Sequence, residues 1–240
     1  DFSIETGNQE VYLAWEEPEN YNEYTIGYHN DWDTGIGDLG PLNYDAVIRF
    51  APEQLEDIGI DENYFLNEIN FILQSWNGET NFSDPENFEF SIKVWKGGDE
   101  ENGYNPGTLV LEQPIYNPIW DDWNNIQLTT PIQVSSDEEI WFGYNIIFSG
   151  TDYAYPAACS NGPAVDGYGD LLYWGGVMYA MHNDFGLDFN WVINGLFSTS
   201  TGESRVSGNI NQIHDNYINN ISNTLNNRPK SINNNSNSFY

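Results

Sequence analysis

Residues 87–95 (NFEFSIKVW) alternate apolar and polar side chains throughout. Phe88, Phe90, Ile92 and Val94 fall on one face, and Glu89, Ser91 and Lys93 on the other. Successive side chains of a strand point to opposite faces, so this segment predicts a half-buried antiparallel strand. Residues 45–51 (DAVIRFA), 67–75 (NEINFILQS), 107–112 (GTLVLE), 126–134 (IQLTTPIQV) and 191–197 (WVINGLF) predict further strands, and 11–16 (VYLAWE) an early, weakly alternating one. Pro131 cannot donate to a ladder and marks an edge or a break. Residues 140–148 (IWFGYNIIF) are apolar on both parities, as a strand buried on both faces would be. Pro52 opens a short helical turn, PEQLEDIGI, with Leu55 and Ile58 on one side. Roughly ten strands and almost no helix predict an all-β chain, a jelly-roll-like antiparallel β-sandwich. Long, uneven connections disfavour an up-and-down barrel.

Two stretches break the pattern. Residues 17–45 are polar, aromatic and glycine-rich without a period, and read as loop. Inside them, 29–40 (HNDWDTGIGDLG) sets Asp31, Asp33 and Asp38 beside Gly35 and Gly37. Alternate carboxylates with glycines let a backbone fold round a hard cation, so a Ca²⁺ site is one reading. An EF-hand needs Glu at the twelfth position; counted from Asp31 that is Leu42, which excludes it. A solvated acidic turn is the other reading. Residues 153–176 (YAYPAACSNGPAVDGYGDLLYWGG) concentrate prolines, glycines, aromatic rings and the only cysteine. They predict an irregular loop between strands, either functional or a crossover that needs unusual dihedrals. Gly167 and Gly169 are the positions expected to need positive φ. Tyr155, Tyr168, Tyr173 and Trp174 offer faces for sugar rings, and Asp166 and Asp170 offer oxygens for hydroxyls, so these six are the candidate ligand-binding residues. Packing over the end of the sandwich is the competing role for the same rings.

Charge narrows the partners. The 240 residues carry a formal net charge of −31, and up to Ser200 there are 35 acids against three bases, Arg49, Lys93 and Lys96. Such a body repels nucleic acid and anionic membranes, so neither nucleic-acid binding nor membrane insertion is expected. Nine Trp, 16 Tyr and 13 Phe supply a core, so the acidity is not that of a disordered chain. No run is long enough to insert in a membrane as a helix. A chain beginning at Asp1 without a signal peptide reads as a mature or excised piece. Composition divides it into an acidic sandwich module at 1–197 and a Ser/Asn-rich linker at 198–240. In the linker Ile210, Ile213, Tyr217, Ile221 and Leu225 recur at helical steps, predicting a short amphipathic C-terminal helix that ends before Pro229.

Catalytic signatures are sparse. One cysteine, Cys159, excludes an internal disulfide and a cysteine-based zinc site, and burial as a small inert residue is its expected fate. There is no G-x-S-x-G, H-E-x-x-H or P-loop. His182 could join a metal site with Asp184 or Asp188, but a surface role suits it better. A carboxylate pair could serve a glycoside hydrolase, yet among 35 acids some pair always fits.

The succession AVIRFAPEQL, FSIKVWKGG, NPGTLVLEQP, DDWNNIQLTTPIQV, EEIWFGYNI, YPAACSNGPAVDGYGDLLYWGG and DFNWVINGLF resembles a β-sandwich accessory module of secreted, multi-domain Bacteroidetes proteins. That module is similar to the cleaved-adhesin, jelly-roll domains of surface adhesins and peptidases. The resemblance runs from about His29 to Phe197. It implies a secreted or cell-surface protein, no catalysis, a glycan or surface protein as partner besides neighbouring modules of the same polypeptide, and Ca²⁺ as a plausible stabilising cofactor. A structural subunit or spacer of a surface appendage is the alternative function, and a carboxylate-dependent hydrolase the second.

Overall fold

The computed structural model describes residues 2–7, 10–15, 22–75, 87–99 and 103–199. The expected C-terminal helix and linker lie outside the described residues. The strands are β1 (Phe2–Gly7), β2 (Glu10–Trp15), β3 (Glu23–Gly27), β4 (Thr34–Leu39), β5 (Leu42–Phe50), β6 (Phe65–Ile72), β7 (Phe88–Lys96), β8 (Thr108–Ile115), β9 (Trp123–Gln133), β10 (Ile140–Phe148), β11 (Tyr153–Asn161), β12 (Leu171–Trp174), β13 (Val177–Ala180), β14 (Phe189–Trp191) and β15 (Ile193–Ser198), with two one-turn helices, α1 (Pro52–Glu56) and α2 (Met181–Phe185). β1 and β2 form a two-stranded sheet. The rest is an antiparallel sandwich. One layer is a six-stranded sheet in the order β13-β12-β5-β10-β7-β8. The other joins a four-stranded sheet, β3-β15-β6-β9, to a three-stranded one, β14-β11-β4, where Leu73 bridges to Ala157.

The alternation of residues 87–95 does what it predicts. Phe88, Phe90, Ile92 and Val94 enter the core between the layers. β10 lies centrally between β5 and β7, and its Phe142, Tyr144 and Ile146 meet Leu66, Ile69 and Phe71 of β6, Phe197 of β15 and Ala157 of β11 in one cluster. Tyr144 stacks on Phe71 with ring centroids 4.2 Å apart, pinning layer to layer. A register shift between Leu66 and Glu68 changes the parity of β6, so Leu66 and then Ile69 both face inward. β9, which carries Pro131, is indeed an edge strand.

Two loop readings are corrected. Residues 17–45 contain β3, β4 and the start of β5. β4 escapes a periodicity search because Gly35 and Gly37 occupy positions where a Cβ would collide with the carbonyl oxygens of Tyr155 and Ala154 on β11. Close backbone approach to β11 is what those glycines serve. Residues 153–176 are likewise mostly strand, β11 and β12. Pro156 is accommodated because the pairing of β11 with β4 shifts register between Ala154 and Ala157, and its carbonyl accepts from the Gln74 N–H at 3.0 Å. Only the turn 162–170 between β11 and β12 is irregular.

Candidate binding site

The six-stranded sheet has a second, outward face, and it is not simply wet. Val47, Trp95, Trp141, Leu171, Met178 and Ala180 form a separate apolar cluster there, with Tyr104 and Tyr173 packed against it. Cross-strand parity puts Asp45, Val47 and Arg49 of β5 on this face, beside Trp141, Gly143 and Asn145 of β10 and Lys93 and Trp95 of β7. Two cations in a body with three therefore sit on one surface.

At one end Arg49 is fully buried. Its Nη1 donates to both Glu139 carboxylate oxygens at 3.0 and 2.9 Å, and its Nε to the Gly167 carbonyl at 2.6 Å. The guanidinium lies 4.1 Å from the Tyr168 ring centre, 5.0 Å from Trp141 and 5.6 Å from Tyr104. This cation holds down the turn 162–170. Gly167 has φ +72°, and Asp170 accepts from the Gly167 N–H at 2.7 Å and from the His182 N–H at 2.8 Å, tying the turn to α2. Burial pushes the Asp170 carboxyl up to about 6, against the pull of those backbone donors. Asn190 closes the other side, accepting from the Val165 N–H and donating to the Pro163 carbonyl.

At the other end the face opens into a groove of about 550 Å³. Tyr104, Tyr173 and Trp95 wall it, Leu109 and Val177 rim it, and Asp45 and Lys93 form the polar floor. Lys93 Nζ donates to the two Asp45 oxygens at 3.0 and 3.2 Å, and Asn145 Nδ2 donates to Oδ1 at 2.5 Å. Burial raises the Asp45 carboxyl above its ordinary value, although Lys93 and Asn145 pull it down. The ion pair spans β10 at Gly143, which carries no side chain and sits opposite both Lys93 and Val47. Rings beside a charge-neutral, hydrogen-bonding floor can stack apolar faces and exchange hydrogen bonds with hydroxyls or amides.

The six residues expected to bind ligand are scattered. Tyr173 lines the groove, whereas Trp174, paired with Tyr44 and so on the opposite face of β12, is exposed and does not line it. Tyr168 and Asp170 face inward in the Arg49 clasp, and Asp166 is exposed at the turn. Tyr155 belongs to the other layer, its ring near-parallel to that of Tyr153 at 6.3 Å. Gly169 has no positive φ; a side chain there would meet Asn190 and Tyr28. Asp45, Lys93, Trp95 and Tyr104 went unrecognised, though a lone lysine on the wet side of a clean strand in so acidic a chain signals a built ion pair.

Asp31 accepts from the Trp32 N–H at 2.8 Å and Asp38 from the Leu39 N–H at 2.7 Å, both local turns, while the Asp33 N–H donates to the Cys159 carbonyl at 3.0 Å. No group of three or more His, Cys, Asp or Glu side chains suited to a metal ion forms among the described residues. Cys159 is buried, with its thiol pushed up to about 12 chiefly by desolvation and secondarily by Asp33. His182 is exposed, with Nδ1 3.8 Å from Asp188.

No family model matches the sequence, and no curated protein matches it. Two solved structures show distant likeness. The VP2 subviral particle of infectious bursal disease virus is 9% identical with TM-score 0.29, over 93% of this chain and 52% of that one. The Gt strain of the same virus is 13% identical with TM-score 0.26, over 92% and 53%. This chain spans about half the length of either.

Proposed function

We propose that this chain is a non-catalytic binding module of a secreted or cell-surface bacterial protein, which meets a glycan or protein ligand in the groove between the β12–β13 hairpin and β8. The observation that carries the proposal is the open end of the outer face. Tyr173 and Tyr104 stand beside an Asp45–Lys93 pair whose charges are mutually satisfied, so the groove offers contact area and hydrogen bonds without a reactive group in want of a partner. The resemblance to adhesin-type accessory modules supports the extracellular setting, and the strongly acidic body suits a stabilising Ca²⁺ supplied from outside the cell.

The test is a binding screen on glycan and matrix-protein arrays with the wild-type chain and Leu109→Asp. Leu109 pairs with Trp95 on the groove face and is 44% exposed, so the variant keeps its fold. Binding should fall sharply; unchanged binding would move the ligand site off this face. Thermal melts with and without EGTA address the cation: a lower midpoint in EGTA is expected, and coincident melts would remove Ca²⁺ from the reading.

A further inference from the structure

We infer that the ligand of the groove is an extended, uncharged glycan laid across the strands of the six-stranded sheet; this rests on the proposed role of the groove as the binding site. Charge comes first. All three bases of the body are committed: Arg49 to Glu139, Lys93 to Asp45 and Lys96 to Glu138. An anionic polymer would find no spare cation and would approach a body bearing 35 acids. A basic polymer gains little inside the groove, because among the described residues the one carboxylate lining it, that of Asp45, is already neutralised by Lys93 and held by Asn145. What remains is a neutral chain rich in hydroxyls.

Shape sets the length. The lining runs from Val177 on β13 past Tyr173 on β12 and Asp45 on β5 to Lys93 on β7 and Leu109 on β8. Five inter-strand steps of about 4.8 Å make roughly 24 Å, the reach of about four or five pyranose rings. Tyr173 and Tyr104 offer ring faces for the C–H sides of sugars, and the N–H and C=O groups of the interior strands β12, β5, β10 and β7 are spent on neighbouring strands, so a peptide could pair only along the edges, β13 and β8.

Calorimetric titration of the full chain with neutral gluco-, manno- and N-acetylglucosamine oligomers of one to six units tests this, with polygalacturonate, heparin and an enzymatically deglycosylated matrix protein as counter-probes. The expected result is affinity rising at least about tenfold from dimer to pentamer and then levelling, no uptake of the two anionic polymers, and a loss of about tenfold or more in Leu109→Asp and Tyr173→Ala. Leu109 is 44% exposed, so its variant tests contact without risking the fold. A monomer that binds as tightly as the pentamer, or capture of heparin, overturns this inference and leaves the groove as the site. Binding of the deglycosylated protein, lost in Leu109→Asp, does the same by making the ligand a polypeptide. Oligomer binding untouched in both variants sinks the groove itself.

Discussion

The two ends of the outer face are built from the same parts and behave as opposites. Each pairs one cation with one carboxylate under tyrosine and tryptophan: Arg49 with Glu139 beneath Tyr168 and Trp141, and Lys93 with Asp45 beside Tyr173 and Trp95. At the Arg49 end the turn 162–170 lies over the cation, and every ring is used to seal it. At the Lys93 end Asp45 is buried but Lys93 keeps 17% of its side chain exposed, and the rings stand as walls. Side-chain inventory does not separate a structural clasp from a recognition surface; the path of the backbone above it does. Tyr104 belongs to both ends, lying 5.6 Å from the Arg49 guanidinium and lining the groove, so the clasp also positions one wall of the site.

The comparison breaks first at Arg49. Replacing it by Met removes a planar cation with three hydrogen bonds and leaves the Gly167 carbonyl and Glu139 without their donor. The expected cost is on the order of 3–5 kcal/mol, which for a body of this size is roughly 10 °C of melting temperature. A melt lowered by only a degree or two would mean the turn is held by its glycines and Asn190 instead. Lys93→Met should cost less, about 2 kcal/mol, because Lys93 is partly exposed and Asn145 still donates to the orphaned Asp45. The double variant Lys93→Met/Asp45→Asn should recover most of that loss, since no buried charge is left behind. If the double is worse than the single, the pair is not a closed unit and the neutral floor of the groove disappears with it.

Much of the fold was legible, and the reason lies in single strands. β7 and β10 declared themselves because one face, or both, is made of apolar side chains in strict order. β4 and β11 did not, because their pairing depends on glycine and alanine at close approach, a contact between backbones that leaves no hydrophobic period. The candidate site was legible only in part. Tyr173 was picked out by its local aromatic density. Asp45 and Lys93 are separated by 48 residues and meet only once β5, β10 and β7 are in register, information that no local window contains. Tyr168 and Asp170 looked like ligand contacts because the residues that structure a turn, Asp, Gly and Tyr, are those that line sites.

The smallest effect separates the ends by pH. Asp170 belongs to the clasp, and its folded-state value of about 6 lies above that of an unfolded aspartate. A carboxyl raised by folding binds its proton more readily in the native state, so its contribution to stability grows as pH falls through 6 and shrinks as pH rises through it. Between pH 7.5 and 5.0 this one group should add about 1.4 kcal/mol, roughly 3–5 °C, on top of the general relief of charge repulsion in so acidic a chain. Asp170→Asn removes the group-specific part and keeps the rest. Melting temperature against pH, wild type beside variant, should therefore rise in both as pH falls from 7.5 to 5.0, and more steeply in the wild type. Parallel curves would mean that the backbone donors from Gly167 and His182 outweigh burial and hold Asp170 ionised, making the clasp indifferent to acid.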